Sequence, residues 1–211
     1  MKKLLLSLLF IFCMSAQVYA DIMPVRVSDV PSGVLGVYQP ATSIKVFENP
    51  DSKSKLLYQK KWTYITVSET DYANNLFAVL KDKKDLSFVY ATDMDEDYVK
   101  VIYDKTKNSQ GWAYKEDEFQ FLPWITFYNM YGRKYGLKIL KDAPDFVYDV
   151  HSRSDNESQV IGKLNRPKEI RLTAIQGNWA LVTALDLGGK VNTGFIRWRG
   201  DNGELYVFPD I

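Results

Sequence analysis

Short runs of β-branched and aromatic residues recur along the chain from about residue 34 to its end, each bounded by Gly, Pro, Asn or Asp. Several runs alternate polar and apolar residues, as half-buried strands do because successive side chains point to opposite faces of a sheet. No stretch carries the sustained apolar stripe of an amphipathic helix. The clearest runs are residues 44–47, 64–67, 77–80, 98–103, 169–175, 179–183 and 204–208. The sequence therefore predicts a mostly β fold.

The first 20 residues have the three parts of a signal peptide. Lys2 and Lys3 precede an apolar run over residues 4–14, and small residues stand where a signal peptidase cleaves, before Asp21. The run is shorter than the roughly 20 residues of a membrane-spanning helix, so a retained anchor is the alternative, as is lipidation of Cys13. We expect export to a periplasm or to the cell exterior, with no membrane span after cleavage.

Composition removes several classes of function from the exported chain. Lys and Arg number 27 against 26 Asp and Glu, which leaves no charge excess for binding nucleic acid. Cleavage removes Cys13, the one cysteine, so the mature chain has no cysteine nucleophile. His151 is the one histidine, and a zinc site with two histidines needs a second. We predict no catalytic residue, no metal ligand and no cofactor.

The mature chain contains two similar halves. A shift of 104 residues sets Pro40 on Pro144, Val46 on Val150, Asp51 on Asp155, Ser54 on Ser158 and Leu56-Leu57 on Val160-Ile161. Further along, residues 98–101 fall against 179–182 and residues 111–114 against 194–197. The first copy carries about 20 extra residues, including a charged segment at 81–85 that is typical of a solvated hairpin tip.

The leader features and the repeat together divide the chain into five parts. They are a signal peptide (1–20), an N-terminal extension (21–33), a first β unit (34–123) with an insertion at about 70–97, an aromatic-rich junction (124–136) and a second β unit (137–211). Each unit is of a size that a small β domain can have.

Three motifs in the second half carry a family resemblance. They are Ser158-Gln159-Val160-Ile161-Gly162, Gly177-Asn178-Trp179 and Gly194-Phe195-Ile196. With them, residues 137–198 resemble a bacterial SH3-like (SH3b) domain. The first half is similar but departs by its insertion, by Tyr98 in place of a tryptophan and by Pro50 in its loop. The resemblance implies two tandem small SH3-like barrels, of five to seven strands, which bind cell-wall peptide or glycan or dock onto envelope proteins.

The resemblance also implies a place for the ligand. In SH3-like folds a loop borders the ligand groove, and the loops at 49–53 and 153–157 correspond to each other here. Asp51 and Asp155, with Arg153 beside the second, are therefore candidates for recognising an amine or a carboxylate of a short peptide. Turn capping by both aspartates is the alternative.

The junction is unusually aromatic, with seven Phe, Trp and Tyr residues between positions 119 and 135. A flexible linker would be rich in Gly and Ser, so this segment should pack. Its side chains either join the two units or form an aromatic platform in a groove between them, with Trp124 and Tyr128 as ligand contacts.

Three more aromatic residues complete the set of candidates. In the resembled family Trp179 lies in the core or on the groove floor, whereas Trp198 and Tyr206 flank the last hairpin and are expected to be exposed. The predicted ligand-binding residues are Asp51, Trp124, Tyr128, Arg153, Asp155, Trp179, Trp198 and Tyr206.

Other motifs have plainer interpretations. The acidic run at 93–97 lacks the glycine and the final glutamate of a calcium loop, which favours a solvated turn. Arg199-Gly200-Asp201 matches an adhesion tripeptide that is common by chance. His151 is interpreted as an ordinary strand residue with one wet face.

We therefore expect an exported, non-enzymatic module that binds peptidoglycan, through its stem peptide or glycan, or an envelope partner, through shallow SH3-like grooves. One alternative is a structural or protein-interaction spacer in the envelope that does not bind the wall. A second is a carboxylate-dependent cell-wall glycosidase, which needs only two acids about 5 to 10 Å apart.

Overall fold

The computed structural model describes residues 21–62, 70–81, 84–116 and 120–211. This part of the chain is mostly β-strand, which confirms the predicted fold class at that level. The predicted signal peptide (1–20), the run at 64–67, positions 82 and 83 of the charged segment and Phe119 lie outside the described residues. None of the helices in the described part combines the length and the hydropathy that crossing a bilayer requires.

The first half contains one antiparallel sheet and a short inserted helix. The strands are β1 (Asp21–Ile22), β2 (Gly36–Tyr38), β3 (Ser43–Phe47), β4 (Leu56–Lys61), β5 (Val79–Lys81), β6 (Leu86–Met94), β7 (Tyr98–Asp104), β8 (Ser109–Tyr114) and β9 (Phe121–Pro123). The path along the sheet is β1-β5-β6-β7-β8-β3-β4, and β2 pairs with both β6 and β9. Helix α1 (Thr70–Leu76) belongs to the insertion.

The junction is helical, and the second half is again antiparallel sheet. Helix α2 (Trp124–Phe127) continues through a π-helical turn (Tyr128–Gly132) into α3 (Arg133–Tyr135). The strands that follow are β10 (Leu137–Ile139), β11 (Asp149–His151), β12 (Val160–Lys163), β13 (Pro167–Gln176), β14 (Trp179–Asp186), β15 (Val191–Arg197) and β16 (Val207–Pro209). Five of them form a sheet in the order β12-β11-β15-β14-β13, and β10 pairs with β16.

Five strands of each half share one order, and their registers correspond except for an irregularity at Ile102/Asp104 that the second half lacks. The order β4-β3-β8-β7-β6 corresponds to β12-β11-β15-β14-β13. The corresponding cross-strand pairs are Phe47–Trp112 with His151–Phe195, and Tyr98–Tyr114 with Trp179–Arg197. Irregularities in register also correspond, at Val46/Phe47 with Val150/His151 and at Ala91/Asp93 with Leu172/Ala174. Among the described strands, pairing closes neither sheet into a barrel, so the SH3-like barrel stays a prediction.

One glycine in each half is required by the close approach of two strands. A Cβ added to Gly111 would lie 2.7 Å from the Phe47 carbonyl oxygen. A Cβ added to Gly194 would lie 2.6 Å from the His151 carbonyl oxygen. Glycine at such strand positions permits close approach of another backbone. The two glycines correspond under the repeat, and both halves therefore share one packing constraint.

A single cluster of buried hydrophobic side chains includes residues of both halves. The junction connects them, because the ring of Phe127 lies 5.3 Å from Phe88 of the first half and 5.7 Å from Phe208 of the second. Large buried aromatic side chains contribute strongly to packing energy. The junction therefore packs the halves together rather than separating them as a flexible linker would.

The insertion adds a helix to the first half alone. Leu76 and Phe77, at the end of α1, are buried in a second hydrophobic cluster with Val46 and Val99. The backbone N–H of Lys105, just after β7, donates to the Asn75 carbonyl oxygen at 2.9 Å. The helix is thus fixed against the end of β7, a place for which the second half has no helix.

Candidate functional site

Two of the predicted ligand contacts, Trp124 and Tyr128, are interior residues. Trp124 Nε1 donates a hydrogen bond to the Val34 carbonyl oxygen at 2.9 Å. The Tyr128 hydroxyl donates to the Val207 carbonyl oxygen, and burial raises the pKa of Tyr128 well above its usual value. The platform interpretation is therefore wrong for these two side chains, because the packing that joins the halves covers their faces.

The expectation that Trp198 and Tyr206 are exposed is also wrong. Their side chains are 0% and 6% exposed. The chain after β15 folds back on itself, since the Tyr206 N–H donates to the Trp198 carbonyl oxygen at 2.9 Å. The Trp198 ring then lies 4.4 Å from the ring of Tyr128. Both residues belong to the shared core rather than to a surface.

Asp51 caps its own turn. Its Oδ1 accepts a hydrogen bond from the Lys53 N–H at 2.8 Å, the geometry by which an aspartate fixes a turn. The same loop is attached to β7, because the Ser52 N–H donates to the Tyr98 hydroxyl at 2.9 Å. The structure supports the capping alternative for Asp51.

The corresponding loop of the second half is closed by its own side chains. Arg153 Nε lies 3.3 Å from Asp155 Oδ2, so these two predicted contacts are brought together as an ion pair. Ser158 Oγ lies 2.7 Å from the Asp155 carbonyl oxygen and 3.2 Å from His151 Nδ1. Within the described part of the chain, Asp155 Oδ1 is a buried atom without a hydrogen-bond partner.

His151 and Trp179 pack against each other beneath this loop. Both are buried, which contradicts the expectation of a wet face for the histidine. Their ring centroids lie 4.9 Å apart, edge to face. Trp179 is therefore a core residue, one of the two positions that the family resemblance implied for it.

Arg197 fills the corner next to Trp179. Its guanidinium lies over the Trp179 ring, 5.3 Å from the centroid. Nη1 donates to Asn156 Oδ1 at 2.6 Å, and Nη2 donates to Asp201 Oδ1. The hydrogen bond from Arg197 holds the pKa of Asp201 below its usual value. The corner of the second half is thus an internal network of charged and polar groups.

The tripeptide Arg199-Gly200-Asp201 takes part in this network. Asn178 Nδ2 donates to Asp201 Oδ1 at 3.0 Å, and Asn178 Oδ1 accepts from Arg199 Nε at 3.0 Å. The Arg199 guanidinium also lies 5.3 Å from the Trp198 ring centroid. Both charged side chains have partners within the protein, which favours the chance interpretation of the motif.

The equivalent corner of the first half is an open cleft of about 380 Å³, which we call the tyrosine groove. Residues that line it include Tyr38, Ser43, Lys45, Ser52, Tyr114 and Glu116. Tyr114 occupies the register position of Arg197, and its side chain is 51% exposed. An aromatic face is therefore open to solvent at the position where the second half has a paired guanidinium.

Hydrogen bonds hold the groove in shape. Tyr38 is buried at its floor and donates from its hydroxyl to the Tyr114 carbonyl oxygen at 3.0 Å. Burial, with a smaller contribution from Glu116, raises the pKa of Tyr38 to about 12, so this hydroxyl stays protonated. The ring of Tyr98 meets that of Tyr114 edge to face at 5.5 Å. Exposed Lys45 and Glu116 add one charge of each sign to the walls.

A second cleft of about 380 Å³, which we call the lysine cleft, is built from the N-terminal extension, α1 and the end of β7. Residues that line it include Met23, Ser28, Asp29, Asn75, Tyr90 and Lys105. Lys105 Nζ donates to the Phe77 carbonyl oxygen at 2.7 Å. Burial, partly offset by Asp29, lowers the pKa of Lys105 to about 8.

Sequence reasoning missed the lysine cleft, and for the tyrosine groove it named only the bordering loop at 49–53, whose Ser52 lines the groove. A signal for the tyrosine groove was available, because the repeat alignment sets Tyr98 and Tyr114 on Trp179 and Arg197. No comparable signal existed for Lys105, whose neighbours in the cleft come from the N-terminal extension and the insertion. In the described part of the chain, no group of three or more His, Cys, Asp or Glu side chains is arranged to hold a metal ion.

Comparison with known proteins adds no family. No protein-family model matches the sequence, and no curated protein matches it either.

Proposed function

We propose that the protein is an exported, non-enzymatic binding module that recognises a peptide or glycan segment of peptidoglycan through the tyrosine groove. One observation carries the proposal: the corner that Arg197 fills in the second half is open in the first, where it is lined by Tyr38 and Tyr114. Export is inferred from the leader-like first 20 residues.

The chemistry of the groove suits such a segment. Tyr114 offers a rigid face for a sugar ring or a peptide bond, and tyrosine combines that face with a polar hydroxyl. Ser43 and Ser52 supply groups for hydrogen bonds. Lys45 and Glu116 can pair with a carboxylate and an amine, and the stem peptide of the wall carries both groups. A shallow groove with one exposed aromatic anchor fits binding to an extended chain.

The arrangement of acids supports binding rather than hydrolysis. Glycosidases use two carboxyl groups held on opposite sides of the bond that they cleave. Among the residues that the structure describes, Glu116 is the one acid that lines the tyrosine groove, and Asp29 is the one that lines the lysine cleft. The described lining of neither cleft therefore supplies the pair of carboxyl groups that a glycosidase uses.

Co-sedimentation with purified sacculi tests the proposal. The wild-type protein should be enriched with sacculi, and Tyr114→Ala should weaken binding about tenfold, equivalent to about 1.4 kcal/mol. Phe146→Ala is the matched control, because Phe146 is 48% exposed but does not line the groove. Binding by Phe146→Ala should equal that of the wild type.

Two results would count against wall binding through this groove. Failure of the wild-type protein to sediment with sacculi favours a structural or protein-interaction spacer instead. Equal binding by Tyr114→Ala and the wild type would show that the tyrosine groove does not contribute to wall binding. Thermal unfolding of each variant establishes that a loss of binding is not a loss of fold.

A further inference from the structure

Lys105 carries a positive charge that the described part of the protein does not neutralise. Its Nζ has one hydrogen-bond acceptor there, the Phe77 carbonyl oxygen, although an ammonium group has three N–H donors. No carboxylate in the described residues lies within 4.0 Å of it. The Tyr90 ring centroid, 5.9 Å away, gives only a weak cation–π contact.

Asp29, whose charge acts on Lys105, is engaged elsewhere. Asp29 Oδ2 accepts hydrogen bonds from the Val25 and Arg26 N–H groups, each at 2.8 Å, and so fixes the turn of the N-terminal extension. It offsets the desolvation of Lys105 only in part. A partly buried charge without a close partner has lost part of its hydration, and an entering anion offsets that cost.

We propose that the lysine cleft binds the carboxylate of a small molecule or short peptide, with Lys105 Nζ as its counterion. The side chains of Asn74 and Asn75 line the same cleft and can donate to, or accept from, an amide next to that carboxylate. Met23 and Pro24 give it an apolar wall for the rest of the ligand.

The size and charge of the cleft narrow the ligand further. About 380 Å³ lies near the lower end of small-molecule sites, which suits a molecule of about a dozen non-hydrogen atoms. Asp29 also lines the cleft and repels a second negative charge. A monoanion such as a carboxylate is therefore favoured over a phosphate.

The site belongs to the first half alone. In the repeat alignment that sets residues 98–101 on 179–182, Lys105 falls on Asp186, whose Oδ1 accepts a hydrogen bond from the Lys190 N–H at 2.8 Å in a tight hairpin. The inserted helix α1 supplies Asn74 and Asn75. The insertion thus adds a binding site to the repeat, independent of the tyrosine groove.

Calorimetric titration of the full protein with N-acetyl-alanyl-alanine and with its C-terminal amide tests the proposal. The acid should bind at least tenfold more tightly than the amide, and Lys105→Met should weaken binding of the acid at least tenfold. Lys107→Met is the matched control, because Lys107 is an exposed lysine paired with Asp104 at 3.6 Å. Tyr114→Ala should also bind the acid as the wild type does, which keeps this test separate from that of the groove.

Butyrate and inorganic phosphate identify the source of the anion. Tighter binding of the acetylated dipeptide than of butyrate assigns the site to peptide termini, and the reverse order assigns it to simple organic acids. Phosphate binding as tight as that of either carboxylate contradicts the proposal, as does equal binding of acid and amide or no binding at millimolar concentration.

A second measurement holds even if Lys105→Met does not fold. Titration of the Lys105 side chain by NMR, with and without saturating acid, should show its pKa raised by the ligand, because a close carboxylate favours the ammonium form. Asp29 and Tyr90 are the other titratable groups among the described residues that line the cleft, and their signals are followed in the same experiment. An unchanged Lys105 pKa at saturation overturns the proposal.

Discussion

The two halves have the same strand order and corresponding registers, yet they use one corner in opposite ways. In the first half the Tyr98–Tyr114 pair leaves an open groove, with the 49–53 loop attached through the Ser52 N–H. In the second half the Trp179–Arg197 pair fills the corner. A change of side chains on an unchanged ladder therefore decides whether the corner can hold a ligand.

The charge of Arg197 explains why the corner is filled in the second half and open in the first. The Arg197 side chain is almost fully buried, and a buried guanidinium must have hydrogen-bonded partners. Asn156 and Asp201 provide them and close the corner. Tyr114 carries no charge, so nothing forces its ring to be covered.

The largest expected effect tests whether the two halves share one packing constraint. Gly111→Ala and Gly194→Ala each place a methyl group against a carbonyl oxygen of the neighbouring strand, so each should lower the free energy of unfolding by about 3 kcal/mol. Gly188→Ala is the control, because its new methyl would meet only Asp186 Oδ1, at 3.4 Å. Urea unfolding measures all three, and tolerance at one of the paired sites alone would break the correspondence.

The second prediction concerns the filled corner. Arg197→Met removes the hydrogen bonds to Asn156 and Asp201 and should lower the free energy of unfolding by about 2 kcal/mol. Arg171→Met is the control, because Arg171 is exposed and its pair with Glu169 is a surface ion pair of little value. Equal effects of the two substitutions in urea unfolding would show that Arg197 is not a structural residue.

The third prediction concerns the lysine cleft of the first half, and it uses the pH dependence of stability. The pKa of Lys105 is lowered to about 8 in the folded protein, so the unfolded chain binds this proton more tightly. Stability should therefore rise with pH, by about 2 kcal/mol between pH 8 and pH 10, relative to Lys105→Met. Parallel unfolding curves for the two proteins across that range contradict the burial of this amine.

The smallest expected effect concerns the open corner, where Tyr98 holds the 49–53 loop. Tyr98→Phe removes the acceptor of the Ser52 N–H and should cost about 1 kcal/mol, because the loop is exposed and water replaces the bond in part. Tyr103→Phe, on the same strand, is the control, since Tyr103 contributes a stacked ring at 5.3 Å from Tyr58. Faster hydrogen exchange at Ser52 in Tyr98→Phe alone is the expected readout, and unchanged exchange contradicts the attachment.

Local patterns in the sequence were enough for the strands and for the repeat. Alternation within residues 98–103 and the paired glycines at 111 and 194 predict strands whose register the structure then aligns. The sequence left the role of Asp51 open between turn capping and ligand recognition. Its hydrogen bond from the Lys53 N–H supports turn capping. These features depend on residues close in sequence or on the same ladder.

Burial and clefts could not be inferred in the same way. Trp198 is covered because the following hairpin folds back and Tyr128 of the junction packs on it, contacts between segments far apart in sequence. Lys105 meets α1 and the N-terminal extension only in the folded chain. Composition gives the residue types at such places but not what lies across from them.

The most direct test of the account is NMR mapping of soluble peptidoglycan fragments on the isotope-labelled protein. We predict shift changes centred on Tyr38, Ser52 and Tyr114, with the Trp179–Arg197 corner unchanged. Changes centred on Trp179 and Arg153, or no changes at millimolar fragment, would contradict it.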